Sequence, residues 1–267
     1  GRELVRSKKR PRIMVANADN AESSRYMTLN IEHKLPFSLS ACQPWSADEN
    51  GGHFNFEGAD ISINLPGEFS LKNALASATV ARALGIQIPA IAGALLKIRR
   101  IPGRAEKIDE GQNFTVVVDY AHTPDSLEAL YNAYGNLRKI CVLGATGGGR
   151  DTWKRPVMGG IADKYCDEVI LTNEDPYDEN PRVIVNAVAG GMSGKGGTAS
   201  GGKLEIIMDR REAIRSALAR ALSGDAVLIT GKGTDPCICV ENGVRIPWSD
   251  AGVAHEELKQ LLQRRTV

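Results

Sequence analysis

The chain has 267 residues, enough for one large domain or two modest ones with real cores. Hydrophobic residues make up 42% and charged residues 24%, the profile of an ordinary globular protein and not of a disordered or fibrous one. Lys plus Arg total 33 against 32 Asp plus Glu, a formal charge of +1, which argues against a nucleic-acid partner held by bulk electrostatics.

In chain order, Arg12–Ala16 is a short β-like run and Asn17–Asn20 a turn leading into a helix start. From Lys34 to Leu65 the pieces PFSLSA, HFNF and ISINL alternate, separated by turn-formers such as Asp48–Gly52, and predict a small antiparallel region. Leu71–Leu84 carries apolar residues at 71, 74, 75, 78 and 81, an amphipathic helix ended by Gly85; a second helix covers about Pro89–Ile98. Ile101-Pro102-Gly103-Arg104 then interrupts the pattern, so domains are expected at 1–101 and 102–267.

Beyond it, strands at Phe114–Val118, Lys139–Leu143, Glu168–Thr172, Leu204–Met208 and Ala226–Thr230 alternate with helices opening near Thr123, Lys154, Pro181 and after Met208. That alternation implies right-handed βαβ crossovers and a Rossmann-like, mostly parallel sheet covered on both faces. Pro236–Val240 and Val244–Pro247, around Asn242-Gly243, predict an antiparallel hairpin at the sheet edge, before a terminal helix over about Ser249–Gln263. The fold class expected is α/β.

No apolar run approaches the ~18–20 residues of a membrane span, and the first 17 residues lack a signal-peptide core. Five scattered cysteines (Cys42, Cys141, Cys166, Cys237, Cys239), with no CxxC pair, suit a reducing, cytoplasmic setting and no zinc. Gly190–Lys203 holds seven glycines but never meets GxxxxGK[ST], and it joins a helix to the next strand, the wrong end for phosphate; a plain loop is expected. There is no GxGxxG after the first strand and no GxSxG elbow, which discounts NAD and Ser–His–Asp hydrolysis.

In such a sheet ligands bind beyond the carboxyl ends of the strands. Four loops there are rich in chemistry: Asp119–Asp125, Gly144–Asp151, Asn173–Asp178 and Gly231–Asp235. The opposite edge offers plain connectors such as Asn136–Arg138 and Ser223–Asp225. Singly, each feature has an ordinary explanation: Asp119 as a helix cap, His122 as a structural histidine, Gly147–Gly149 as a turn, Glu174 and Asp175 as solvated charges. Together they point to a polar ligand. A strand-end carboxylate suits paired sugar hydroxyls, a glycine run before a helix suits an anion, Arg150 suits a carboxylate, and an acidic pair suits an ammonium group.

These residues resemble those of the Mur ligases, ATP-dependent amide-forming enzymes of peptidoglycan synthesis, above all the tripeptide synthetases that add the third residue of the stem peptide. The likeness runs from about Ile13 to the C-terminus through VANADN (15–20), LPGEFSLKNALASA (65–78), IPGRAE (101–106), DYAHTPDSLE (119–128), GGGRDTWKRPVMG (147–159) and GKGTD (231–235). It implies the C-terminal part of the family's central ATP-binding domain over 1–101 and its C-terminal domain over 102–267. The implied chemistry is transfer of the ATP γ-phosphoryl, with Mg²⁺, to the carboxylate of a UDP-N-acetylmuramoyl dipeptide. The amine of an incoming amino acid then attacks the acyl phosphate. By position, Asn73 would meet the adenine, Arg104 the ribose-phosphate region and Asp119 the ribose hydroxyls, with His122 close to the nucleotide. Arg150, Gly231 and Asp235 would line the amino-acid pocket. No catalytic or metal-binding residue is assigned on this chain.

The departures matter. The family's P-loop and its sugar-gripping N-terminal domain find no match, so the chain is expected to be a fragment, monomeric and unable to make the amide alone. Family members that select meso-diaminopimelate carry Asp-Asn-Pro-Arg where this chain has Glu174-Asp175-Pro176-Tyr177. Losing the guanidinium removes the reason to prefer a second carboxylate, and the acidic pair points to lysine or ornithine. The competing expectations are a non-catalytic nucleotide- or amino-acid-binding module and a Mur-type ligase with another acceptor, such as folylpolyglutamate synthase.

Overall fold

A computed structural model describes residues 1–149, 151–193 and 203–265. Arg150 and the middle of the glycine-rich stretch 190–203 lie outside the described residues. Two units divide the chain, Gly1–Arg99 and Arg100–Val267. Among the described residues no helix is long and apolar enough to cross a membrane.

The first unit contains α1 (Arg2–Arg6), β1 (Ile13–Asn17), α2 (Ser23–Met27), β2 (His33–Phe37), β3 (Trp45–Ala47), β4 (Gly52–Phe56), β5 (Ala59–Ile63), α3 (Gly67–Ala83) and α4 (Ile88–Lys97). β3, β4 and β5 form the expected antiparallel sheet. The piece around Pro36-Phe37 corrects that reading: it belongs to β2, which runs parallel to β1 with Ile13 opposite His33. The intervening chain makes a crossover through α2, and a crossover returns the strand in the same direction. Phe54, Phe56, Ile61 and Ile63 lie at period two on one sheet face, while Leu71, Ala74, Leu75 and Ala78 form the stripe of α3; with Ile91 of α4 these make one core.

The second unit contains β6 (Glu106–Lys107), β7 (Thr115–Asp119), α5 (Pro124–Ala133), β8 (Lys139–Leu143), α6 (Lys154–Tyr165), β9 (Glu168–Leu171), α7 (Pro181–Ala189), β10 (Leu204–Ile206), α8 (Arg210–Arg220), β11 (Ala226–Thr230), β12 (Cys237–Cys239), β13 (Arg245–Pro247) and α9 (Asp250–Arg265). The six-stranded sheet runs in the order β10-β9-β8-β11-β7-β6, parallel throughout except for β6. The antiparallel edge is therefore Glu106–Lys107, two residues too short to show a pattern in the sequence. The expected hairpin forms, Cys237 opposite Pro247 and Cys239 opposite Arg245, but as a separate two-stranded sheet.

Alternation along the strands sorts the core. Val116, Val118, Ile140, Val142, Ile170, Val227 and Ile229 pack with Ala213, Ile214, Ala217 and Leu218 of α8 and Val253, Ala254 and Leu258 of α9. The intervening residues, among them Val117, Leu143, Leu171 and Leu228, are equally buried. α5, α6 and α7 stand side by side. Cys141 on β8 and Cys166, just past α6, are joined in a disulfide across one strand–helix unit, with Cα atoms 6.2 Å apart. Five scattered thiols gave no sign of this: the sequence separation of 25 between the two is the length of a βα return.

The amino-end rim is structural. Arg138 pairs with both Asp225 and Glu168, and the buried Lys139 ammonium donates to the carbonyls of Tyr134, Gly135 and Leu137. β11 sits between β7 and β8, so at the carboxyl rim the loops after β7, β11, β8 and β9 are neighbours in that order.

Candidate functional site

The rim is built on Asp119, the last residue of β7. It is only 7% exposed; Oδ2 accepts the Ala105 N–H at 2.6 Å and Oδ1 the Ala121 N–H at 2.7 Å. Burial pushes its carboxyl above the usual range, against those two amides and the nearby Arg104 and His122 charges. Its main-chain carbonyl accepts the Gly231 N–H at 3.1 Å. Asp119 thus ties together three segments: 103–105, the loop after β7 and the loop after β11. Each carboxylate oxygen keeps a further lone pair.

Above Asp119, the guanidinium carbon of the exposed Arg104 lies 4.6 Å from the Tyr120 ring centroid. The His122 ring stands edge-on to the same tyrosine, centroids 4.6 Å apart. His122 Nδ1 donates to the Tyr120 carbonyl at 2.8 Å; a carbonyl only accepts, which leaves Nε2 for another partner. Thr123 caps α5 in a reciprocal box with Ser126, so the loop after β7 is fixed at both ends.

The loop after β8 lies against that after β9. Gly147 donates its N–H to the Asp175 carbonyl at 2.7 Å, and a Cβ on Gly147 would meet the Pro176 carbonyl at 2.1 Å, so only glycine permits this approach. Glu179 holds the Gly149 N–H and, at 2.8 Å, the buried Arg155 guanidinium, which also reaches the Thr146 carbonyl at 3.2 Å.

The acidic pair divides its labour. Asp175 is committed internally: Oδ2 accepts from Lys232 Nζ at 2.7 Å and Oδ1 from the Cys239 N–H at 2.8 Å. Lys232 is 1% exposed; burial opposes its charge, but the Asp175 hydrogen bond and the charges of Asp175, Asp235 and Glu174 outweigh it and raise its pKa. Asp235, half-buried, reaches Lys232 at 3.4 Å. Glu174 is 3% exposed; Oε1 accepts from the Thr146 hydroxyl at 2.8 Å, while Oε2 has no hydrogen-bond partner among the described residues. Burial raises its pKa, opposed first by the Arg210 charge. Gly231, at φ +109°, makes room for that carboxylate: a Cβ there would lie 2.3 Å from Oε2. Beneath the loops, Arg210 pairs with Asp250, both fully buried, and donates to the carbonyls of Thr230 at 2.8 Å and Asn173 at 3.4 Å.

A cavity of about 220 Å³ opens over these groups. It is lined by Tyr120 and His122 from the first loop, Thr146, Asp151 and Lys154 from the second, Glu174, Asp175 and Tyr177 from the third, and Gly231 and Asp235 from the fourth. Five of the residues singled out from sequence therefore meet there: His122, Glu174, Asp175, Gly231 and Asp235. Asp119 is not on its wall, Arg104 stands on the Tyr120 ring, and Arg150 lies outside the described residues. Asn73 is exposed on α3 of the first unit. The sequence reading missed Thr146, Lys154, Lys232 and Arg210. Lys232 and Lys154 sat inside quoted motifs; Arg210 opens a helix with nothing to mark it.

A parallel sheet with a polar cavity at its carboxyl rim is the arrangement of an α/β domain that binds a small polar ligand. The family model described as "Mur ligase, glutamate ligase domain" matches residues 103–233, and the chain belongs to the Mur ligase family. A UDP-N-acetylmuramoyl-L-alanyl-D-glutamate–2,6-diaminopimelate ligase of Geobacillus kaustophilus (strain HTA426) is 36% identical over 263 residues, 94% of this chain and 53% of the relative. A UDP-N-acetylmuramyl-tripeptide synthetase of Roseiflexus sp. (strain RS-1) is 41% identical over 206 residues, 76% of this chain and 40% of the relative. A solved structure of a UDP-N-acetylmuramoyl-L-alanyl-D-glutamate–2,6-diaminopimelate ligase superposes with a TM-score of 0.60 at 28% identity, covering 93% of this chain and 53% of that one. The chain spans about half the length of the curated relatives it matches.

Proposed function

We propose that the chain is the amino-acid-receiving part of an ATP-dependent ligase that joins a diamino acid to UDP-N-acetylmuramoyl-L-alanyl-D-glutamate, the acceptor in the name of the Geobacillus relative. The observation that carries this reading is Glu174, whose side chain lines the cavity and whose buried Oε2 has no hydrogen-bond partner among the described residues. An ammonium group brought there gains a charge-assisted hydrogen bond and relieves a desolvated carboxylate. The cavity is below the ~300–1,000 Å³ of drug-sized pockets and suits a single amino acid.

Asp175, neutralised by Lys232, shapes the site and leaves Glu174 to read the ammonium. Gly231 and Asp235 border the same space, with Arg150 assigned there by resemblance. Lys154, at the start of α6, adds a cation to the cavity wall for a substrate carboxylate. On the Tyr120 side, Arg104 and His122, whose Nδ1 is engaged by the Tyr120 carbonyl, suit the nucleotide; Asn73, on the first unit, is assigned to the adenine by resemblance alone. Asp119 fits the ribose only through its remaining lone pairs, since both its oxygens already hold backbone amides. ATP, when bound with Mg²⁺, supplies the phosphoryl group that activates the acceptor carboxylate. Among the described residues no cluster of three or more His, Cys, Asp or Glu side chains is placed to hold a metal ion, so no step is assigned to one here. What these side chains do is hold the attacking amine in place beside the activated carboxylate.

The Geobacillus relative's name carries diaminopimelate; Tyr177, in place of the arginine that the resemblance leads one to expect, favours lysine or ornithine. Competitive turnover of lysine against meso-diaminopimelate by a longer protein carrying this chain tests it. Preference for lysine is the expected result, and preference for meso-diaminopimelate refutes the assignment.

A further inference from the structure

Cys237 and Cys239 occupy alternate positions of β12, so both side chains leave the strand on one face. Their Sγ atoms are 3.9 Å apart, both residues are half-buried, and Ile238 between them is buried. The backbone of Cys239 also clamps the acidic loop at two points. Its N–H donates to Asp175 Oδ1 at 2.8 Å, and its carbonyl accepts the Tyr177 N–H at 3.0 Å.

The geometry points to a redox modification site: Cys237 and Cys239 form an oxidisable dithiol that a hydroperoxide closes to a disulfide, and closure loosens the clamp on residues 175–177. In the first step one sulfur attacks the outer peroxide oxygen; the O–O bond breaks, giving a sulfenic acid and water or an alcohol. The second sulfur then attacks the sulfenic sulfur. The S–S bond forms, the S–O bond breaks, and water departs with the second thiol's proton. The two thiols lose two electrons, which the peroxide accepts.

The coupling is mechanical. Two residues of extended strand advance ~6.4–6.8 Å, the upper end of the ~4.4–6.8 Å that a disulfide spans between Cα atoms. Closing the pair shortens β12 between its contacts with Pro247 and Arg245 and displaces the Cys239 amide and carbonyl together. This inference does not depend on the ligase reading.

The test is hydrogen peroxide treatment of the whole chain, followed by peptide mapping and amide hydrogen exchange. Trypsin, cutting after Lys232 and Arg245, releases both thiols in one peptide, 233–245. The expected result is loss of two hydrogens within that peptide, together with Tyr177 amide exchange about threefold faster or more. Cys237→Ser, which cannot close, should keep its Tyr177 exchange rate under the same treatment. Oxidation that ends in sulfinic or sulfonic acid, disulfides between chains, or an internal disulfide with Tyr177 exchange unchanged would each overturn it.

Discussion

Replacing Lys232 by methionine isolates the ion pair on which the acidic loop rests. Lys232 is 1% exposed and the Asp175 side chain 9%, with Nζ 2.7 Å from Oδ2. Breaking a buried pair from one side costs ~3–5 kcal/mol, because the remaining charge is left desolvated. Asp175 keeps the Cys239 amide, and the Asp235 contact is long and 40% exposed on its acidic side, adding little. The lower end, about 3 kcal/mol, is therefore expected, a fall in Tm of roughly 6–12 °C for a unit of this size. Thermal unfolding of Lys232→Met, Asp175→Asn and the double variant measures it. The double variant should cost less than the sum of the singles by about 2 kcal/mol. Because the Lys232 pKa is raised on folding, its contribution is complete at neutral pH and is lost only as pH climbs through the folded value, above the ordinary lysine range of ~10.4. A Tm change under about 2 °C for Lys232→Met would refute the pair's role.

Gly231→Ala places a methyl 2.3 Å from Glu174 Oε2 on a left-handed backbone, and should cost about 1–3 kcal/mol in denaturant titrations while abolishing amine binding. Asp119→Asn keeps one acceptor oxygen and turns an amide NH₂ toward the other backbone N–H; a loss of about 1–3 kcal/mol by urea unfolding is expected. Glu174 has a folded pKa above its unfolded one, so its contribution to stability is complete below ~4.3 and disappears as pH rises through the folded value. Glu174→Gln should flatten that part of the stability–pH curve, and an unchanged curve would contradict the burial argument.

Much of the second unit could be read from the sequence because its strands are continuous apolar runs buried on both faces, each followed by a helix. Lys139–Leu143 and Ala226–Thr230 fall where expected. The same alternation located the rim, since a parallel sheet fixes which loops share an edge. What escaped were features that depend on pairing: the two-residue edge β6, the parallel β1–β2 pair, and the Cys141–Cys166 bridge. The division within the acidic pair was equally invisible. Glu174 and Asp175 are neighbours in sequence, and only the fold shows that Lys232, 57 residues on, claims one and leaves the other with an oxygen that has no partner among the described residues. Arg210 likewise acts through carbonyls, whose positions no residue pattern records.

The central claim is that an ammonium group is bound by Glu174 in the rim cavity, and NMR titration of the chain with L-lysine and its uncharged-side-chain analogue L-norleucine tests it most directly. Lysine should bind at least about tenfold more tightly, shifting the Thr146 and Gly231 amides, and Glu174→Gln should erase the difference. Equal affinity for the two ligands, or a lysine preference that survives Glu174→Gln, would contradict it.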